Sequence, residues 1–232
     1  MSHKPTKGRP LAQSRVEAAR NGPRVPVFAL AVGGLVLVLV IAAVVVAVVG
    51  GEKGGTLGEG EQAFGPVTAT GTPLETYSPS GEDPAVGEPA PKLEGESATG
   101  EAVTVDPAEG PMVVVFLAHW CSHCQAEVPR IVAVADGADE IEGVPFTAVL
   151  TGSEAQADNF PPGDWLERED WPAPAMVDSE PEAGSVPVAL NAYGLKGYPF
   201  MVAIDGDGNV AARHSGELGE DGIREFFAQV AE

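Results

Sequence analysis

The 232-residue chain contains two cysteines, Cys121 and Cys124, and both fall in the stretch "AHWCSHCQAEVP" at 118–129. On a helix, side chains at i and i+3 lie on one face a turn apart, so the two sulfurs are within disulfide reach. The same residues, together with His119 and His123, could also serve as soft metal ligands. Structural zinc usually draws its ligands from two separated segments, which lets four of them converge tetrahedrally. Here the four candidates crowd together at 119–124 and no second cluster follows. Cu(I) held by the two thiolates needs fewer ligands and stays as an alternative: a copper-binding or metallochaperone module. Covalent haem requires His directly after the second cysteine, where Gln125 stands.

The elements that must position these sulfurs are legible around them. "MVVVFLA" (112–118) is an unbroken apolar, β-branched run, which predicts a strand buried on both faces of a sheet. Residues 122–135 have helical spacing, with Ser122 placed to cap and Pro129 inside. Further strands are predicted at 144–150 and 173–178, and short helices around 164–169 and 186–193. "FMVAI" and "VAARHS" flank "DGDGN" as strand, turn and strand. The "DGDGN" stretch fails as a calcium loop, because Val210 stands where Gly belongs and Gly216 where Glu belongs. An amphipathic helix over 219–231 buries Ile223, Phe226, Phe227 and Val230. Strands alternating with helices, then a hairpin and a helix, predict an α/β fold with a mixed central sheet flanked by helices.

The dithiol therefore sits where a central strand turns into a helix. There the unpaired N–H groups and the positive end of the helix dipole favour a thiolate at Cys121, the form that attacks disulfides. Cys124 then resolves the mixed disulfide. His123 has two readings. A protonated imidazole beside the Cys121 sulfur would favour the reduced form and make the couple more oxidising than the roughly −270 mV of thioredoxin; a solvated imidazole would do little. His119 is expected to line the rim.

Charge and hydropathy set the compartment. Acidic residues outnumber basic ones 34 to 13, a balance that repels phosphate backbones and argues against nucleic acid as a partner. Residues 1–24 run the other way, as a basic tail with six Lys or Arg and one acid, Glu17. After it, 25–49 predicts a transmembrane helix, whose uncharged stretch from Val27 to Val49 is longer than a signal peptide's apolar region. The basic flank orients the N-terminus inward, so everything from residue 50 on is expected outside the cytoplasm, where disulfides persist. Residues 50–84, rich in Gly, Glu, Thr and Pro, are expected to form a flexible linker, with one globular domain at 85–232.

"HWCSHCQAEVP" resembles the W-C-x-x-C-x-x-E-x-P segment of membrane-anchored, extracytoplasmic thioredoxin-like proteins of the TlpA/ResA kind, which act in bacterial cytochrome c maturation and related thiol reduction. "VGEPAPKLEG" and "AYGLKGYPFMVAIDGDGNVAARHSG" resemble other parts of the same family. The resemblance implies a thioredoxin-like fold over about 85–231, with Cys121 attacking, Cys124 resolving and Trp120 beside them. It also implies Glu127 as the active-site acid, partly buried and exchanging the proton of Cys124. Pro199 becomes a cis-proline that, with Tyr198, shapes the edge where substrate binds. No cofactor beyond the dithiol is implied. The partners would be extracytoplasmic protein thiols and disulfides, a membrane redox partner that resets the pair, and the bilayer through 25–49 of a single-pass protein in a bacterial cell membrane. Two departures bear on direction. Thioredoxin has a buried aspartate where this chain has Val115, and the Ser122-His123 dipeptide resembles that of oxidising and isomerising relatives. The surrounding motif points to reduction and His123 to oxidation.

Overall fold

The computed structural model describes residues 67–136, 141, 143–180 and 184–231. The expected basic tail, the transmembrane helix and the first part of the linker lie outside these residues. Among the described residues no helix is long and apolar enough to cross a membrane.

The strands are β1 (Thr68–Thr70), β2 (Lys92–Glu96), β3 (Ala102–Val105), β4 (Met112–Leu117), β5 (Phe146–Thr151), β6 (Ala175–Asp178), β7 (Phe200–Ile204) and β8 (Val210–Ser215). The α-helices are α1 (Ser122–Asp136), α2 (Pro162–Arg168), α3 (Val188–Ala192) and α4 (Gly219–Ala228). Five strands form a mixed sheet in the order β6-β5-β4-β7-β8. β4, β5 and β6 run parallel, while β7 is antiparallel to both β4 and β8. β1, β2 and β3 make a separate antiparallel sheet.

β4 holds the fold together because all six of its residues are buried. Val113, Val115 and Leu117 face a cluster completed by Val128 and Ile131 of α1 and by Ile223 and Phe227 of α4. Met112, Val114 and Phe116 face the opposite cluster, with Leu93, Val105, Ala189 and Tyr193. Helices α1 and α4 therefore cover one side of the sheet, and α3 with the small sheet covers the other. Each large side chain buried this way contributes about 1.5–3 kcal/mol. The alternation also anchors both ends of the β4–α1 turn that carries the cysteines.

Two expectations need correction. The chain from 67 to 84 is not a free tether: β1 pairs with β2, Val67 and Leu74 are buried, Leu74 N–H donates to Ala192 O at 2.8 Å and Tyr77 N–H to Gly194 O at 2.9 Å. Arg213 secures the same segment. Its buried guanidinium pairs with Asp83, donates to the carbonyls of Glu75 and Tyr193 at 2.9 Å each, and lies over the Tyr77 ring. The β2–β3 hairpin is the second correction, since its short strands, "KLEGE" and "AVTV", were not anticipated. "DGDGN" is the expected turn: Asp205 accepts from the N–H groups of Asp207 and Asn209 at 2.9 Å, and Gly208 takes φ +82°.

Candidate active site

Beyond Leu117 the chain leaves the sheet through Ala118, His119 and Trp120 and enters α1 at Ser122. Cys121 N–H donates to Ala118 O, and Cys121 O accepts the first helical bond from Gln125 N–H, both at 3.0 Å. Cys121 is therefore the residue at the helix cap, the position expected for Ser122.

The two sulfurs, unbridged here, stand in unlike environments. Cys121 retains 9% of its surface, more enclosed than an exposed nucleophile was expected to be, while Cys124 retains none. Cys121 Sγ donates to Tyr198 O at 3.6 Å, and the Tyr198–Pro199 bond is cis as expected. Cys124 Sγ accepts from Ala118 N–H at 3.5 Å. Burial pushes the Cys124 thiol up against the opposing Ala118 hydrogen bond, and Cys121 and Glu127 add smaller upward contributions. One thiol thus faces the opening, and its mate lies a turn deeper as a poor acid.

Glu127 is fully buried, more so than expected. One carboxylate oxygen accepts from Leu218 N–H at 2.7 Å and the other from Arg130 at 2.9 Å. Of the two readings of His123 the structure favours the solvated one, with a partner the sequence did not show: its side chain is 68% exposed and Nδ1 bonds Glu217 at 2.6 Å. Arg130 reaches the other oxygen of Glu217, also at 2.6 Å. His119 is not at the rim but fully buried. Its Nε2 accepts from Glu154 N–H at 3.1 Å, so Nδ1 carries the proton and donates to Asp158 O at 2.8 Å. That neutral ring bolts the loop 154–158 to the start of the helix, and neither nitrogen is left for a metal. Among the described residues no group of three or more His, Cys, Asp or Glu side chains converges on a common position for an ion.

Trp120 is 37% exposed, donates to Gly152 O at 2.6 Å and meets the Tyr198 ring edge-on. The Tyr198 phenol is pushed up to about 12 by burial, against a hydrogen bond with the Thr151 hydroxyl. Thr151 in turn donates to Asp178 Oδ2 at 3.0 Å, which also accepts from the N–H groups of Ala189 and Leu190. Gly152 takes φ +63°, and a Cβ there would stand 2.8 Å from the Tyr198 hydroxyl. The end of β5 is therefore the seat for both aromatic walls of the opening. Arg130, Thr151, Gly152, Asp178 and Glu217 were missed from sequence. Arg130 had a signal, standing three residues after Glu127 on a helix. Glu217 had none, being separated from His123 by most of the domain.

A mixed sheet, a dithiol at the β4–α1 junction and an opposing cis-proline define a thioredoxin-like thiol–disulfide oxidoreductase. The chain belongs to the AhpC/TSA family, whose family model matches residues 86–213. No curated protein matches it by sequence. A thioredoxin-family thiol:disulfide interchange protein from Chlorobium tepidum TLS is similar in structure, with 20% identity and TM-score 0.50 over 62% of this chain and 96% of that one. StoA from Bacillus subtilis is 18% identical, with TM-score 0.48 over 62% of this chain and 98% of that one. The exposed lipoprotein thioredoxin Etrx1 from Streptococcus pneumoniae is 24% identical, with TM-score 0.46 over 60% and 98%. At 20% identity the first likeness speaks for the fold alone.

Proposed function

We propose that this chain is a membrane-anchored protein disulfide reductase whose catalytic domain works outside the cytoplasm. The observation that carries the proposal is the inequality of the two sulfurs: Cys121 at the cap of α1 facing Tyr198 and cis-Pro199, Cys124 buried behind it. Cys121 thiolate attacks a substrate disulfide, forms a mixed disulfide and expels one substrate thiolate, which takes a proton from solvent. Glu127 accepts the Cys124 proton. The Cys124 thiolate then attacks Cys121 Sγ, closing the Cys121–Cys124 disulfide and expelling the second substrate sulfur as a thiolate, which takes up the proton that Glu127 had accepted. The substrate gains two electrons and the protein loses two, which a membrane redox partner restores. Tyr198 and Pro199 form the edge against which substrate lies, with Trp120 packed beside Tyr198.

The reducing direction is favoured because His123 engages Glu217, which removes the reason to expect an oxidising couple. The resemblance to TlpA/ResA proteins points the same way and suggests thiol reduction of the kind that serves cytochrome c maturation. Residues 25–49 supply the anchor in this reading, and the acidic surface keeps the outer domain away from anionic head groups. Turnover of a protein disulfide such as insulin's tests the proposal. Cys121→Ser should abolish turnover, and Cys124→Ser should halt it at a covalent adduct. Full activity in Cys121→Ser would dismiss the dithiol mechanism.

A further inference from the structure

The geometry points to a positioning role for Glu217: it is the counter-charge that neutralises His123 at the dithiol and so keeps the Cys121/Cys124 couple reducing. This inference rests on the dithiol reading above. Glu217 lies on the loop between β8 and α4, yet its two oxygens reach two residues of α1, His123 Nδ1 and Arg130 Nη1, each at 2.6 Å. The same Arg130 nitrogen donates to Glu127, and the next residue along the loop, Leu218, donates its N–H to the other oxygen of Glu127. One short loop thus grips both ends of a row of side chains running His123, Glu217, Arg130, Glu127, from the residue beside Cys124 to the buried acid one turn on. Hydrogen bonds from His123 and then Arg130 hold the Glu217 carboxyl below the usual range, so it is charged at any physiological pH. Nearby on α4, Arg224 is paired with Glu220 and Asp221.

With His123 protonated, this row sets two basic side chains against two carboxyl side chains. Removing Glu217 leaves an excess positive charge, which favours the reduced, thiolate-bearing pair. Removing His123 leaves an excess negative charge, which favours the disulfide. A solvent-screened surface charge of this kind changes an equilibrium constant by roughly 1.4-fold to fivefold.

The test is redox equilibration of the full chain with glutathione at about pH 6, within imidazole's protonating range, using Glu217→Gln, Glu217→Asp, His123→Asn and the double variant Glu217→Gln/His123→Asn. Glu217→Gln should shift the equilibrium toward the dithiol by roughly 1.4-fold to fivefold, and His123→Asn should shift it the opposite way. Glu217→Asp, which keeps the charge, should stay near wild type, and the double variant should return close to it. A Glu217→Gln equilibrium equal to wild type, or shifts of one sign in both single variants, would overturn the inference. If the wild-type cysteines formed no reversible disulfide at all, the oxidoreductase reading would fail instead, so the two failures are distinguishable. Unfolding midpoints of each variant separate a redox shift from simple loss of structure.

Discussion

Arg213→Met tests how the segment at 67–84 is held to the domain. The Arg213 side chain is wholly buried, and its partner Asp83 retains 12% of its side-chain surface. Met matches the volume of the stem but supplies no donor. It would leave the Asp83 carboxylate, the Glu75 carbonyl and the Tyr193 carbonyl without their present partner. Breaking a buried ion pair by removing one member costs about 3–5 kcal/mol. The two carbonyl bonds overlap with that figure, so about 3–5 kcal/mol is expected for the whole change. In a domain of this size each kcal/mol lowers Tm by about 2–4 °C, giving a loss of roughly 6–20 °C. The pH dependence has a definite sign. Burial raises the Asp83 carboxyl, but hydrogen bonds and the charge of Arg213 together with the Ala85 N–H hold it below its ordinary value. A depressed carboxyl contributes stability above its unfolded pKa and loses it as pH falls through the folded one. The gap between wild type and variant should therefore be full at neutral pH and narrow in strong acid. Urea unfolding followed by tryptophan fluorescence, at several pH values, measures both. A loss under about 1 kcal/mol, or a gap unchanged down to acid, would refute the account of Arg213 as the clasp.

Two further substitutions probe the site. Gly152→Ala forces a Cβ toward the Tyr198 hydroxyl at a left-handed backbone position and should cost about 1–3 kcal/mol; it should also raise KM for a protein disulfide, and an unaltered KM would show that Tyr198 does not wall the opening. Glu127→Gln keeps the shape but turns an amide donor toward either Leu218 N–H or Arg130, costing about 1–3 kcal/mol. It should slow closure of the mixed disulfide in a stopped-flow assay, and an unchanged closure rate would exclude Glu127 as the proton acceptor.

What the sequence disclosed follows from how local each signal is. β4, β7 and β8 were readable because an apolar run or a turn dipeptide announces a strand without help from the rest of the chain. The cysteine pair, Pro129 and cis-Pro199 were readable as a motif. Val67 and Leu74 were not, since isolated apolar residues in a Gly- and Pro-rich stretch make no period, and only the groove beside α3 gives them a place. His119 was misjudged because nothing local distinguishes a rim histidine from one bonded to two backbone groups on a later loop. The partner of His123 was invisible for the same reason: Glu217 approaches from the far end of the fold.

The central claim is that the two thiols differ in kind, one keeping a small patch of surface and attacking, the other fully enclosed and resolving. Timed alkylation of the reduced native protein, with peptide mass spectrometry to assign each adduct, measures that difference directly. Cys121 should be modified first, with Cys124 lagging far behind until the protein is unfolded. Equal labelling rates, or earlier modification of Cys124, would contradict the account.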